Sequence, residues 1–193
     1  MRSLAFELKR KSIHLAVRDA RELYRVYHLL RKLGLADSVA IGEEGVRVPV
    51  SVLSSNYPEA VFACWLAVQA AGPATITLGV DLGERNIGVA VVVGGIVAYT
   101  GLLRSWTEMC VLAGDLAKLG CALRVKLGYV GQTTFDSRQV AAELRSKGFC
   151  VELVSENEAR TGVLLGDFTF IGKLSSHEVD ALKIALSPTS NGV

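Results

Sequence analysis

The sequence predicts an α/β protein built as a sheet domain preceded by a small basic α/β module. Three observations carry that expectation. From Ala74 onward, three strand-like runs joined by tight turns give way to an alternation of helix and strand. Half of the 193 residues are hydrophobic and 21% are charged, with a formal net charge of +2, which is enough apolar side chain for a substantial core. Residues 1–72 show an α/β pattern of their own and carry a net charge of +3, against −1 for residues 73–193.

Composition excludes several classes. Disorder would need fewer apolar residues and more net charge. The most apolar run, Ala60–Val68 with Ala70 and Ala71 beyond Gln69, is shorter than the ~18 residues that span a bilayer and reads as a buried helix. The N-terminus lacks the charged, apolar, then small-residue order of a secretory signal, so the cytoplasm is the expected compartment and no membrane partner is expected. Cys64, Cys110, Cys121 and Cys150 stand singly, without the close pairs of a zinc site, and read as buried reduced thiols.

In the first module, Leu4, Phe6 and Leu8, then Ile13, Leu15 and Val17, alternate with polar or small residues and predict strand interrupted over Lys9–Ser12. A helix follows, opened by Asp19 with Glu22 three residues on, striped by Leu23, Val26, Tyr27 and Leu30, and stopped at Gly34. Val46, Val48 and Val50 predict a short strand that Pro49 confines to a sheet edge. Asn56 and Glu59 then signal the cap of the helix holding Trp65, with Pro58 in its first turn. Lys9, Arg10, Lys11, Arg21, Arg25 and Lys32 are the cations of this module that could face nucleic-acid phosphates; taken alone, a solvated surface is the simpler account of them.

In the second part, Ile76–Asp81, Ile87–Val93 and Ile96–Tyr99 read as a meander, with Arg85 in its first turn as a further candidate phosphate contact. A helix over Ser105–Leu119, a strand over Leu123–Val130, a helix over Arg138–Lys147 and a strand over Cys150–Val154 follow. The last helix is opened by a capping box of Ser175 and Glu178, carries Val179, Leu182 and Leu186 on one face, and stops before Pro188.

The residues with chemical potential lie at the ends of these elements. Asp81 closes a buried strand in Leu78-Gly79-Val80-Asp81-Leu82-Gly83, where a metal ligand or a plain strand-end turn residue would fit. Gly88 leaves a gap in the next strand that a ligand or another backbone could fill. Glu156 and Glu158 follow the fifth strand. His177 and Asp180 share a face of the last helix, and Lys183 stands where it could pair with Asp180. Carboxylates gathered at one end of a sheet call for cations, and hard oxygen ligands favour two Mg²⁺ or Mn²⁺ ions over zinc, the arrangement that hydrolyses phosphodiesters. His177 could serve as an outer ligand or could orient and deprotonate a water.

The strand and helix order, with Gly79-Val80-Asp81-Leu82-Gly83 leading into Ile87-Gly88-Val89-Ala90, resembles the ribonuclease H-like superfamily over residues 74–187. Within it the pattern is most similar to RuvC-type Holliday-junction resolvases and YqgF-type proteins, through the acidic turn Ser155–Thr161 and the closing Val179-Asp180-Ala181-Leu182 with His177 three residues before Asp180. The resemblance implies a mixed sheet whose first three strands are antiparallel, helices on both faces, two-metal nuclease chemistry, and affinity for branched DNA or RNA. It implies metal ligands at Asp81, Asp180 and Glu156 or Glu158, with His177 assisting catalysis. Cutting a symmetric junction further requires a homodimer. One departure stands out: the fourth strand ends Leu127-Gly128-Tyr129-Val130-Gly131-Gln132 without an acid, so the middle ligand falls to Glu156 or Glu158.

Two further readings share these residues. A noncatalytic nucleic-acid adaptor would use the basic N-terminal helix and a sheet edge. An ATP-binding domain similar to sugar kinases and actin-like ATPases would use Asp81-Leu82-Gly83 with Asn86 and Gly88, although 193 residues supply one such domain where those proteins use two.

Overall fold

The computed structural model describes residues 2–129, 137–155, 159 and 173–188. In chain order the N-terminal segment holds β1 (Arg2–Ser3), α1 (Leu4–Arg10), β2 (His14–Ala16), α2 (Ala20–Lys32), β3 (Ala40–Gly42), β4 (Val46–Arg47), α3 (Val50–Leu53) and α4 (Pro58–Ala71). The remainder supplies β5 (Ile76–Leu82), β6 (Ile87–Val93), β7 (Ile96–Leu103), α5 (Trp106–Ala117), β8 (Leu123–Tyr129), α6 (Ser137–Ser146), β9 (Cys150–Ser155) and α7 (Ser176–Leu186).

Among the described residues the main sheet runs β1-β7-β6-β5-β8-β9. β6 is antiparallel to both β5 and β7, whereas β8 joins β5, and β9 joins β8, in parallel. One face presents Ile76, Leu78 and Val80 of β5 with Val89, Val91 and Val93 of β6, and these pack in one core with Phe62 and Leu66 of α4, Leu112 of α5 and Leu144 of α6. Each such side chain, fully buried, contributes on the order of 1.5–3 kcal/mol. The other face is covered by α7, whose Ala181, Leu182 and Ala185 pack on Ala90, Val92 and Val97. The fold is therefore a mixed α/β sheet with helices on both faces, as the ribonuclease H-like resemblance implies.

The N-terminal segment builds a parallel three-stranded sheet, β3-β2-β4, and also reaches into the main one. β1 pairs with β7 through Arg2↔Ile96 and Ser3↔Val97, and α4 lies across β6 and β7. A single apolar core accordingly runs from Leu4 to Val151.

Several elements differ from the sequence pattern for local reasons. Leu4–Arg10 is helix rather than strand: Leu4, Glu7 and Leu8 are buried at helical spacing while Phe6 is 62% exposed. Glu7 tolerates burial because the Arg10 and Arg2 guanidiniums donate to it, at 2.7 and 3.4 Å, and hold its carboxyl below the usual range. α2 starts at the Asp19 cap, which accepts from the Glu22 N–H, but its buried side is Glu22, Val26, Leu29 and Leu30, and the expected core residues Leu23 and Tyr27 face outward. β4 is an edge strand of only Val46–Arg47; beyond it Pro49 and Val50 turn into α3. α4 begins after Tyr57 with no side-chain cap, because Asn56 bonds Asp115 of α5 and Glu59 takes the Lys32 ammonium. In α7 the buried residues are Ala181, Leu182, Ile184 and Ala185, with Val179 and Leu186 only partly covered. Of the cysteines, Cys64 is buried and its thiol is pushed far up by burial, Cys110 and Cys121 are half-buried, and Cys150 is exposed.

Candidate functional site

Strands β5, β8 and β9 are parallel, so their carboxyl ends, at Leu82, Tyr129 and Ser155, gather along one edge of the sheet. In open α/β sheets this edge is where ligands bind. Asp81 is the penultimate residue of β5, pairs across the sheet with Gly88, and is buried on the α7 face.

Small residues let α7 approach that face closely. A Cβ on Gly79 would collide with the Ala181 carbonyl, and a Cβ on Gly88 would collide with the His177 carbonyl. The gap at Gly88 is thus filled by the backbone of α7. Gly83 clears room for the ring of His177, whose Cε1 would stand 2.7 Å from an added Cβ. The start of α7 is fixed by a complete capping box: Ser175 Oγ accepts from the Glu178 N–H, and the Glu178 carboxylate accepts from the Ser175 N–H at 3.0 Å. Ser175 is the cap, so His177 sits in the first turn, above Asp81.

His177 Nδ1 lies 2.6 Å from Asp81 Oδ2. An ionised carboxylate only accepts, so Nδ1 carries the proton and donates. In the neutral imidazole the lone pair then belongs to Nε2, and the ring remains 39% exposed. The pair therefore offers a proton acceptor or metal ligand at Nε2, oriented by a buried acid.

Asp180, three residues on, accepts from Lys183 Nζ at 3.0 Å, and both side chains are largely shielded, at 22% and 12% exposure. This is the ion pair that the helical spacing suggested. Glu156 and Glu158 lie outside the described residues. At the end of β8 the Gly128 carbonyl accepts from Ser137 Oγ at 3.2 Å, and no acid stands there. Among the described residues no group of three His, Cys, Asp or Glu side chains is arranged to hold a metal ion.

The candidate phosphate contacts divide between two places. Arg85 is exposed in the β5–β6 turn, at the same edge as Asp81. Lys9, Arg10, Lys11, Arg21, Arg25 and Lys32 are on α1, on α2 or just beyond α1, in the layer that packs on α4, behind the sheet as seen from His177. Of these, Arg10 is bonded to Glu7 and Lys32 to Glu59, both at 2.7 Å. A cleft of about 350 Å³ between the start of α1, the end of α2 and the edge of β7 is lined by Lys32, Tyr99 and Thr100 and holds no acid.

One buried lysine escaped the sequence pattern. Lys126 sits in the middle of β8, 3% exposed, and donates to the Ser187 carbonyl at the end of α7. Burial pushes its amine below the ordinary value against the pull of Glu152. The signal is a cation in mid-strand, two residues after Arg124 and flanked by Val125 and Leu127, where a buried amine must find an acceptor.

No family profile matches this sequence, and no curated protein does. Among solved structures the chain is similar to Thermus thermophilus RuvC in complex with a Holliday-junction substrate, at 15% identity and a TM-score of 0.40, over 58% of this chain and 90% of that one. It is likewise similar to a second structure of T. thermophilus RuvC, at 14% identity and a TM-score of 0.37, over 57% of this chain and 91% of that one. Among the described residues no helix is long and apolar enough to cross a membrane.

Proposed function

We propose that this protein is a divalent-metal-dependent nuclease acting on structured nucleic acid, branched DNA or RNA, with its site at the carboxyl edge of β5, β8 and β9. The observation that carries this reading is the 2.6 Å contact of Asp81 with His177 at that edge, together with the sequence resemblance to RuvC-type resolvases. In this reading residues 73–193 hold the site and residues 1–72 contribute basic surface.

The donors present suit the metals such chemistry uses. Asp81 is a hard oxygen ligand for Mg²⁺ or Mn²⁺, Asp180 and Glu156 or Glu158 would complete the set, and His177 offers nitrogen. A divalent cation held there would lower the pKa of bound water and offset charge on the phosphate. His177 then has a defined role: with Nδ1 donating to Asp81, Nε2 takes the proton of the attacking water. Asp81, held in β5, orients that ring, for which Gly83 leaves room. Lys183 is the counter-ion of Asp180, a role that a metal held by Asp180 would take over.

The ion pair of Asp180 with Lys183 and the missing acid at Gly128-Tyr129 favour a second reading, a nucleic-acid-binding protein on this fold that does not cleave. One experiment separates the two. Labelled four-way junction, single-stranded DNA and RNA are incubated with Mg²⁺ or Mn²⁺ and either wild type or Asp81→Asn, with binding recorded on the same samples. Cleavage by wild type that Asp81→Asn abolishes supports the nuclease, whereas binding without cleavage by either protein supports the second reading. A junction-specific activity requires a homodimer, to be seen by sedimentation; a monomer points to single strands or RNA.

A further inference from the structure

Helix α2 turns a cationic and aromatic face to solvent. Its buried side is Glu22, Val26, Leu29 and Leu30. On the opposite side Arg21, Tyr24, His28 and Arg31 succeed one another at intervals of three or four residues, so they form a stripe along the helix axis. Tyr24 is 71% exposed and Tyr27, on the flank, 49%. The Tyr24 and His28 rings stack with centroids 6.0 Å apart and planes 12° apart. Arg25 widens the stripe on one side. The single acid of α2, Glu22, is turned inward and accepts from the Arg18 N–H and guanidinium, so no carboxylate of this helix offsets its outer face.

Each feature of this face selects a class of ligand. Arg21 and Arg31 toward the two ends of the stripe, with Arg25 on its flank, attract phosphates, and a run of negative charge is complementary to them. Charge alone would serve a duplex as well as a single strand. Exposed tyrosines add binding only where the flat face of a base is available, which in a duplex it is not. With the Tyr24 and His28 rings already against each other, the outer face of the pair is the surface left for a base.

We propose that the outer face of α2 is a binding platform for single-stranded nucleic acid, with Tyr24 and Tyr27 stacking unpaired bases and Arg21, Arg25 and Arg31 holding the phosphates between them. The platform lies on the α4 side of the sheet, away from Asp81, and does not rest on the nuclease reading.

The test is fluorescence anisotropy on the full chain, with labelled dT and rU oligonucleotides of about 20 nucleotides and a duplex of equal length. Tyr24→Ala weakens binding of single strands about tenfold and leaves duplex binding unchanged, while Tyr24→Phe, which keeps the ring, binds as wild type. Replacing Arg21, Arg25 or Arg31 by Gln lowers the slope of log K against log salt by about 0.7 for each phosphate that the arginine neutralises in the wild type. Single-strand binding persists with EDTA present throughout, which separates this surface from a cation-dependent site at β5. A preference for dT or for rU identifies the ligand as DNA or RNA, and either supports the platform. Single-strand affinity in Tyr24→Ala within twofold of wild type would overturn it, as would equal binding of the duplex or displacement of the strand by polyglutamate.

Discussion

The His177 carbonyl occupies the space that a Cβ on Gly88 would need, so the first turn of α7 rests directly on the backbone of β6. This close seat brings the His177 ring onto Asp81. Gly88→Ala must push α7 outward or distort β6, and overpacking of this kind costs about 1–3 kcal/mol. Thermal unfolding should show that loss. Gly114, inside α5 with open space around its Cα and an ordinary φ, supplies the control: Gly114→Ala should stabilise by about 0.5–1 kcal/mol through helix propensity. An unchanged Tm for Gly88→Ala would mean that α7 does not sit where this geometry places it.

The sheet was legible in the sequence because its strands are buried and end in recognisable residues. Ile87–Val93 is a continuous apolar run closed by Gly94-Gly95, and the structure returns the same limits. The α1 segment was not, since Leu4, Phe6 and Leu8 satisfy an alternating pattern as well as Leu4 and Leu8 satisfy a helical one. What decides is burial of Glu7, which depends on two arginines whose positions only folding reveals. α2 lies where the pattern predicts, but its buried face is rotated from the predicted stripe for the same reason, a buried glutamate bonded to Arg18. At the candidate site, Asp81 and His177 could each be named from strand end and helix spacing, but their 2.6 Å contact depends on the glycines that let α7 descend. The gap at Gly88 had two readings in sequence, and backbone packing chose between them.

Glu22 makes stability depend on pH. The Arg18 N–H and then the Arg18 guanidinium hold its carboxyl below the ordinary value of 4.5. A group with a depressed folded pKa adds stability that is complete above its unfolded value and is lost as pH falls through the folded one. Unfolding free energy should therefore decline below about pH 4.5, with Glu59, held down by Lys32, contributing in the same direction. Glu22→Gln should flatten that decline and cost about 1 kcal/mol at neutral pH, less than a fully buried charged hydrogen bond because Arg18 is half exposed. Denaturant titrations from pH 3 to 7 on both proteins measure the difference; parallel curves would remove Glu22 as a source.

Ser175 links helix stability to the site. Its hydroxyl satisfies the Glu178 N–H, and Glu178 returns the bond to the Ser175 N–H, so the turn that carries His177 is held at both ends. Ser175→Ala should cost about 1 kcal/mol, whereas Ser175→Thr, which retains the acceptor, should cost a fraction of that. Hydrogen exchange localises the effect: faster exchange confined to the first turn of α7 is expected in the alanine variant. Uniform protection across α7 in both proteins would show that packing on Gly79 and Gly88 suffices without the cap.

Metal binding can be read from stability without any assay of cleavage. A cation that binds the folded chain and not the unfolded one adds RT ln(1 + [L]/Kd), about 2.7 kcal/mol at a hundred times Kd. Mg²⁺ or Mn²⁺ should raise the Tm of wild type through Asp81, and Asp81→Asn should abolish the shift while keeping the volume of the side chain. In the proposed site Lys183 would compete with the metal for Asp180, which its ammonium neutralises at 3.0 Å. Lys183→Met should therefore lower the Tm in the absence of metal, by leaving a shielded carboxylate unpaired, and should enlarge the rise when Mn²⁺ is added. If Lys183→Met lowers the Tm and Mn²⁺ restores none of it, Asp180 is a structural partner of Lys183 and takes no part in holding a metal.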